Sequence, residues 1–221
     1  MAGPHDGQPV LLAGESLERA SAAMILVHGR GASARDIMTI AAEVGESGFA
    51  FLAPEAAGGA WYPNRFMEPV ASNEPWLSSA LETVGRVLAL VEERLPAERV
   101  ILLGFSQGAC LTLEFAARNA RRYGGIVGLT GGLIGPDDTA RDYPGSLEGT
   151  PVFLGCSDVD PHIPVPRVLE TAKVLEALGA VVTTQFYPGM GHEVNADELE
   201  HVRRMMAALA RRDQVGKSAG R

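Results

Sequence analysis

The sequence predicts an α/β fold: a doubly wound, mostly parallel sheet with helices on both faces. Two observations carry that prediction. Short apolar segments alternate along the chain with longer segments of helical period, the pattern of strands joined by crossover helices. Several of the short segments, such as AAMILV at 22–27, are apolar at every position, as strands covered on both faces must be.

Taken in order, Gln8 to Ala13 reads as a first edge strand, and Ala22 to Val27 as a fully buried one. The second ends at His28-Gly29-Arg30-Gly31, after which Ser33 is placed to cap a helix from about Ala34 to Gly45. Phe49 to Ala53 is the next strand, stopped by Pro54. From Glu55 to Trp76 no period is visible, and Pro63, Pro69 and Pro75 interrupt the chain. A loop that long inside a compact domain is usually functional. Leu77 to Leu95 returns to helical period, with Leu81, Val84, Leu88, Val91 and Leu95 on one face.

A strand at Val100 to Phe105 and a helix from Ala109 flank the hinge Gly104-Phe105-Ser106-Gln107-Gly108. Gly124 to Leu129, Pro151 to Cys156 and Val181 to Tyr187 read as further strands. A Gly-, Pro- and Asp-rich surface loop fills 134–150, a helix runs from Val165 to Leu178, and a closing helix from Asp197 to Ala210. The polar residues from about 212 to 221 read as a frayed tail. Residues 1–221 thus form one domain, with no internal repeat.

Bulk composition narrows the function. With 46% hydrophobic and 21% charged residues the chain is globular rather than disordered. A formal net charge of −8 without a Lys/Arg cluster argues against a nucleic-acid partner. No apolar run approaches the ~18 residues of a membrane span, and no basic segment leads into an apolar one at the start, so a cytoplasmic location is expected. The two cysteines, Cys110 and Cys156, make neither a disulfide framework nor a zinc site and read as buried thiols. No metal site is expected.

G-x-S-x-G between a strand and a helix is the nucleophile elbow of α/β-hydrolases. Ser106 would sit on a strained reversal, with the positive end of the following helix aimed at whatever it attacks. A serine hydroxyl needs a base, and the base needs an orienting acid; in this architecture they follow in the order serine, acid, histidine. His192, in the Gly-rich loop after the last strand, is the expected base. Asp158 and Asp160, after the strand at 151–156, are both candidates for the acid, and spacing alone does not separate them. The oxyanion hole is expected from the backbone N–H groups of Gln107 and Arg30. The Arg30 side chain reads equally as a substrate contact or a surface charge. Among the aromatics of the 55–76 loop, Trp61 and Phe66 are expected to border the substrate.

HGRGA (28–32), GFSQGA (104–109), DPHIP (160–164) and YPGMGHEV (187–194) together resemble the phospholipase/carboxylesterase family, which includes the acyl-protein thioesterases. The resemblance implies a compact α/β-hydrolase fold, no cofactor, and Ser106, Asp160 and His192 as nucleophile, acid and base. The D-P-x-[VI]-P pattern selects Asp160 over Asp158. Gly31-Ala32-Ser33 and Trp61-Tyr62-Pro63 stand where acyl-protein thioesterases typically carry acidic residues and W-[FY]-D, and look more like the family's small bacterial esterases. The expected function is hydrolysis of short- to medium-chain carboxylic esters of small molecules. The alternatives are an acyl-protein thioesterase or lysophospholipase and, from another class, a hydrolase fold that binds a ligand without catalysis. Apolar surface around the long loop would suit a homodimer.

Overall fold

A computed structural model describes residues 3–45 and 47–218. Seven strands form one sheet: β1 (Val10–Gly14), β2 (Ala22–Val27), β3 (Phe49–Pro54), β4 (Val100–Phe105), β5 (Gly125–Leu129), β6 (Pro151–Ser157) and β7 (Val181–Tyr187). Their order is β1-β3-β2-β4-β5-β6-β7. β1 runs antiparallel to β3 at one edge, and all the other pairs are parallel. The helices are α1 (Ala34–Val44), α2 (Trp76–Glu92), α3 (Gln107–Arg118), α4 (Val165–Ala177) and α5 (Ala196–Ser218).

Successive residues of a strand point to opposite faces, so the apolar runs divide between two cores. Ala23, Ile25 and Val27 of β2 join Leu102, Ile126 and the apolar faces of α2, α3 and α4. Ala22, Met24 and Leu26 join Ile101, Leu103 and Val127 under Ile37 and Val44 of α1 and Val202 and Met206 of α5. A strand that feeds both cores must be apolar throughout, which is why β2 and β3 are buried at every residue.

Several boundaries shift from the sequence expectation. Ser33 does cap α1, and Asp36 returns the bond to the Ser33 N–H, a reciprocal box that fixes the helix start. α3 begins at Gln107 rather than Ala109, because the reversal at Ser106 leads straight into the helix. α2 ends at Glu92, although Leu95 still donates to Val91 O in a last turn before Pro96. The closing helix continues to Ser218 where the sequence predicts a frayed tail; residues 219–221 of that tail lie outside the described residues. No proline interrupts 211–218 to stop it.

The register sets where chemistry can happen. β4 ends with Phe105 beside Leu129, and β6 with Ser157 beside Tyr187. The elbow after β4, the 158–164 turn after β6 and the 188–195 loop after β7 therefore emerge on one edge of the sheet, where open α/β folds bind ligands.

Candidate active site

The elbow is forced by contact. A Cβ on Gly104 would lie 2.2 Å from Gly108 O, and one on Gly108 would lie 2.1 Å from Val27 O. Only glycine lets α3 pack this close to β2 and β4. Ser106 between them has φ 54° and ψ −120°, a conformation that costs on the order of 1–3 kcal/mol for a non-glycine residue. Its N–H donates to Leu129 O at 3.0 Å and its carbonyl accepts from Cys110 N at 3.0 Å, so the backbone is held on both sides.

His192 Nε2 lies 2.8 Å from Ser106 Oγ, and His192 Nδ1 lies 2.7 Å from Asp160 Oδ2. The Asp160 side chain is completely buried, and its other oxygen accepts the N–H groups of His162 and Ile163, each at 2.8 Å. Those two main-chain donors fix the carboxylate's orientation before it meets the imidazole. Asp158 instead ties the β6 turn to the β7 loop, its Oδ1 accepting the Gly189 N–H at 2.8 Å. The His162 ring stands edge-on to His192, centroids 4.8 Å apart.

The loop that carries His192 is braced from below. Ser157 Oγ donates to Met190 O. Asn195 Oδ1 accepts the N–H groups of Asp197 and Glu198, and Glu198 Oε2 accepts the Asn195 N–H at 2.9 Å. Glu198 is buried, its other oxygen has no partner among the described residues, and burial pushes its carboxyl up to about 7.

The N–H of Gln107, first in α3, has no acceptor within its own helix. In the loop after β2, Gly31 N donates to Gly59 O and Ala32 N to Gly29 O, whereas the Arg30 N–H meets no acceptor among the described residues. Both side chains are engaged elsewhere. The Arg30 guanidinium donates to Tyr62 O, Pro63 O and Asn64 O at 2.9, 2.8 and 2.6 Å. Gln107 accepts from Trp61 N at 2.9 Å and donates to Tyr62 O at 2.8 Å. Together they clamp the long loop, and Arg30 and Gln107 both line the cavity that Ser106 borders. The Arg30 side chain is thus neither a plain surface charge nor a free cation.

Trp61 and Phe66 part company. Phe66 lines a cavity of about 560 Å³ together with Ser106, Gln107, Tyr62, Ile163 and His192. Trp61 does not line it: the indole is fully buried, its Nε1–H donates to His28 O at 2.8 Å, and its ring packs on His28 and His5. Strict burial of the larger ring makes it a pin for the loop, and Tyr62 stands at the cavity in its place. His28 sits beneath the site, its Nε2 accepting the Ala56 N–H at 3.1 Å.

His5 gives no signal in a polar, Gly-rich N-terminal stretch. In the structure it is buried, contacts Trp61 O through Nε2 at 2.9 Å and accepts the Ala57 N–H through Nδ1 at 3.1 Å. Burial lowers its pKa below the ordinary histidine value. Ile163 could have been anticipated from DPHIP, since the turn that orients Asp160 also turns this residue inward. Cys110 touches the same cavity, but burial pushes its thiol up to about 12, far from a nucleophile's range. Among the described residues no group of three or more His, Cys, Asp or Glu side chains is placed to hold a metal ion.

Such an arrangement is equipped for acyl transfer: a hydroxyl hydrogen-bonded to a base, and that base to a buried acid. Comparison with known proteins points the same way. The family described as Phospholipase/Carboxylesterase matches residues 13–210. The crystal structure of a phospholipase/carboxylesterase from Dyadobacter fermentans superposes with a TM-score of 0.88 at 42% identity, covering 94% of this chain and 100% of that one. Acyl-protein thioesterase 1 of Gibberella zeae is 32% identical over 121 residues, 51% of this chain and 48% of the relative. The chain thus spans about half the length of that relative; with acyl-protein thioesterase 1 of Yarrowia lipolytica the match reaches 89% of the relative at 26% identity. Arabidopsis thaliana SOBER1, at 21% identity and a TM-score of 0.72, shares the fold over 86% of this chain and 99% of its own.

Proposed function

The chain belongs to the phospholipase/carboxylesterase family and has its α/β-hydrolase fold, and from that premise we propose that it is a serine carboxylesterase acting on short- to medium-chain carboxylic esters. The observation that carries the reading is the continuous Ser106–His192–Asp160 relay, with both hydrogen bonds formed at 2.8 and 2.7 Å.

In the proposed reaction His192 Nε2 takes the Ser106 proton as Oγ bonds to the ester carbonyl carbon. Asp160 keeps the imidazole proton on Nδ1 and stabilises the imidazolium. The N–H groups of Arg30 and Gln107 hold the oxyanion. As the intermediate collapses, the bond from carbon to the alcohol oxygen breaks, and that oxygen leaves with the proton from Nε2. Water, deprotonated by the same nitrogen, then attacks the acyl-enzyme and releases the acid and Ser106.

The size and lining of the Ser106 cavity favour a compact acyl group. Tyr62, Phe66 and Ile163 supply apolar surface, but Arg30, Arg65 and Glu68 close the lining with charge, a poor environment for a long hydrocarbon chain. A second reading, thioester hydrolysis, is favoured by the names of the matched relatives. Rates on p-nitrophenyl acetate, butyrate, octanoate and palmitate separate the two. Turnover that peaks at short chains and falls on the order of 10⁴- to 10⁶-fold in Ser106→Ala is the expected result. A peak at palmitate transfers the weight to the thioesterase or lysophospholipase reading. No turnover, with a small ester that only protects the fold, points to a non-catalytic binding protein.

A further inference from the structure

A second cavity, of about 440 Å³, opens beside the first and shares His192 with it. Its walls are Ile37 and Ile40 of α1, Phe105, and Val194 and Leu199 beyond the His192 loop, with Thr39 at the mouth. Ser106 and Gln107 line only the first cavity. We propose that the α1 cavity is the alcohol-side subsite of the ester, and that it takes a neutral, apolar alcohol or phenol.

The inference rests on the serine-esterase reading and follows from where the proton must go. Three substituents of the tetrahedral carbon have fixed partners: Oγ belongs to Ser106, the oxyanion to the Arg30 and Gln107 N–H groups, and the departing oxygen to His192 Nε2. The acyl chain stays attached to Ser106, so its space must border Ser106 and Gln107. The alcohol must present its oxygen to His192 and then leave, so its space must border His192 alone. The two cavities divide their linings in this way. Phe105, whose ring centroid lies 5.3 Å from that of His192, forms part of the alcohol side.

Charge then narrows the class of alcohol. Asp36, Glu43 and Glu193 are exposed members of the same lining. Hydrogen bonds from Ser33 lower the pKa of Asp36 further below the usual carboxylate value. An apolar wall under an acidic rim accepts a neutral alcohol and repels an anionic one.

The test uses two series of esters and the full chain. One series holds the acyl group as butyrate and varies the alcohol from methyl to butyl, cyclohexyl and phenyl. The other holds p-nitrophenol and varies the acyl group from acetate to octanoate. Thr39→Trp adds bulk at an exposed position where folding is not at stake, and Val194→Trp adds it from the opposite wall. Both should lower kcat/KM for cyclohexyl relative to methyl butyrate by at least ten-fold, with the acyl-series ratios unmoved. Phenyl acetate should also be preferred to 4-carboxyphenyl acetate, and Glu43→Lys should narrow that preference. If the variants shift the acyl series instead, or shift neither, the assignment is overturned while the esterase reading stands. If the wild type hydrolyses no ester in either series, the esterase reading itself fails.

Discussion

Asp160 shows how much chemistry is fixed by one residue's surroundings. Two main-chain N–H groups and the His192 imidazole take up its oxygens inside a fully buried pocket. Asparagine has nearly the same shape, but whichever end faces His192 is wrong for at least one partner: an NH₂ facing Nδ1 selects the opposite tautomer, with the proton on the nitrogen that must accept it from Ser106. Asp160→Asn should therefore lower kcat on the order of 10⁴-fold with little change in KM, as steady-state kinetics on a short p-nitrophenyl ester will show. Asp158, two positions earlier and bonded to Gly189 N, should affect the rate far less.

At the scale of elements, the site depends on two braces. The first is the clamp on residues 61–64, where Arg30 reaches three successive carbonyls. Arg30→Ala keeps the main-chain N–H but releases those carbonyls, and Tyr62 and Phe66 lose their fixed position at the cavity. The expected cost is about 10²-fold in kcat/KM, with faster amide hydrogen exchange across 61–66. Lysine at this position should rescue little, because it lacks the planar fork.

The second brace is the start of α5, where Glu198 and Asn195 cap one another directly beyond the His192 loop. Burial raises the Glu198 carboxyl to about 7 from an ordinary 4.5. The folded chain therefore holds a proton there that the unfolded chain has already released. Below about pH 4.5 the group is neutral in both states and burial of a charge costs nothing. Between there and pH 7 stability is lost as pH rises, and above 7 the whole cost is present. Glu198→Gln keeps an acceptor for Asn195 N–H and removes the charge. Its melting temperature relative to wild type should rise from pH 5 to pH 8; a difference that stays constant across that range would refute this account of Glu198.

For the whole molecule, the apolar side chains of the long loop are turned inward. Trp61, Tyr62 and Phe66 are buried, and Met67 and Trp76 are half-buried against the same core. Of the loop's large apolar side chains, Met67, Val70 and Trp76 are the ones that stay partly exposed. The large apolar side chains that are exposed include Leu11 and Leu12 on the β1 edge and Val181 at the start of β7. No helix among the described residues is long and apolar enough to cross a membrane. Cys110 and Cys156 sit between the sheet and its helices, and burial pushes both thiols up to about 12. Neither should react with iodoacetamide at pH 7.5 until the core opens, so labelling monitored by mass spectrometry along a urea titration should follow global unfolding.

Asp160 is set apart from Asp158 by the family resemblance, whereas the strands, the elbow with Ser106, and His192 are legible in the residues alone. Those are local or chemical constraints: a strand that feeds two cores must be apolar at every residue, and a turn where a Cβ would fall 2.2 Å from a carbonyl oxygen must be glycine. Packing in three dimensions was needed to fix which indole or phenyl reaches the cavity, what the Arg30 and Gln107 side chains hold, and that a second cavity lies behind His192. Each of those depends on how an aperiodic loop or a helix packs against residues distant in the chain, as between Trp61 and Gln107, 46 positions apart. No short-range period encodes such contacts, because the side chains that make them are chosen by shape and hydrogen-bond geometry across the gap rather than by their neighbours in the chain.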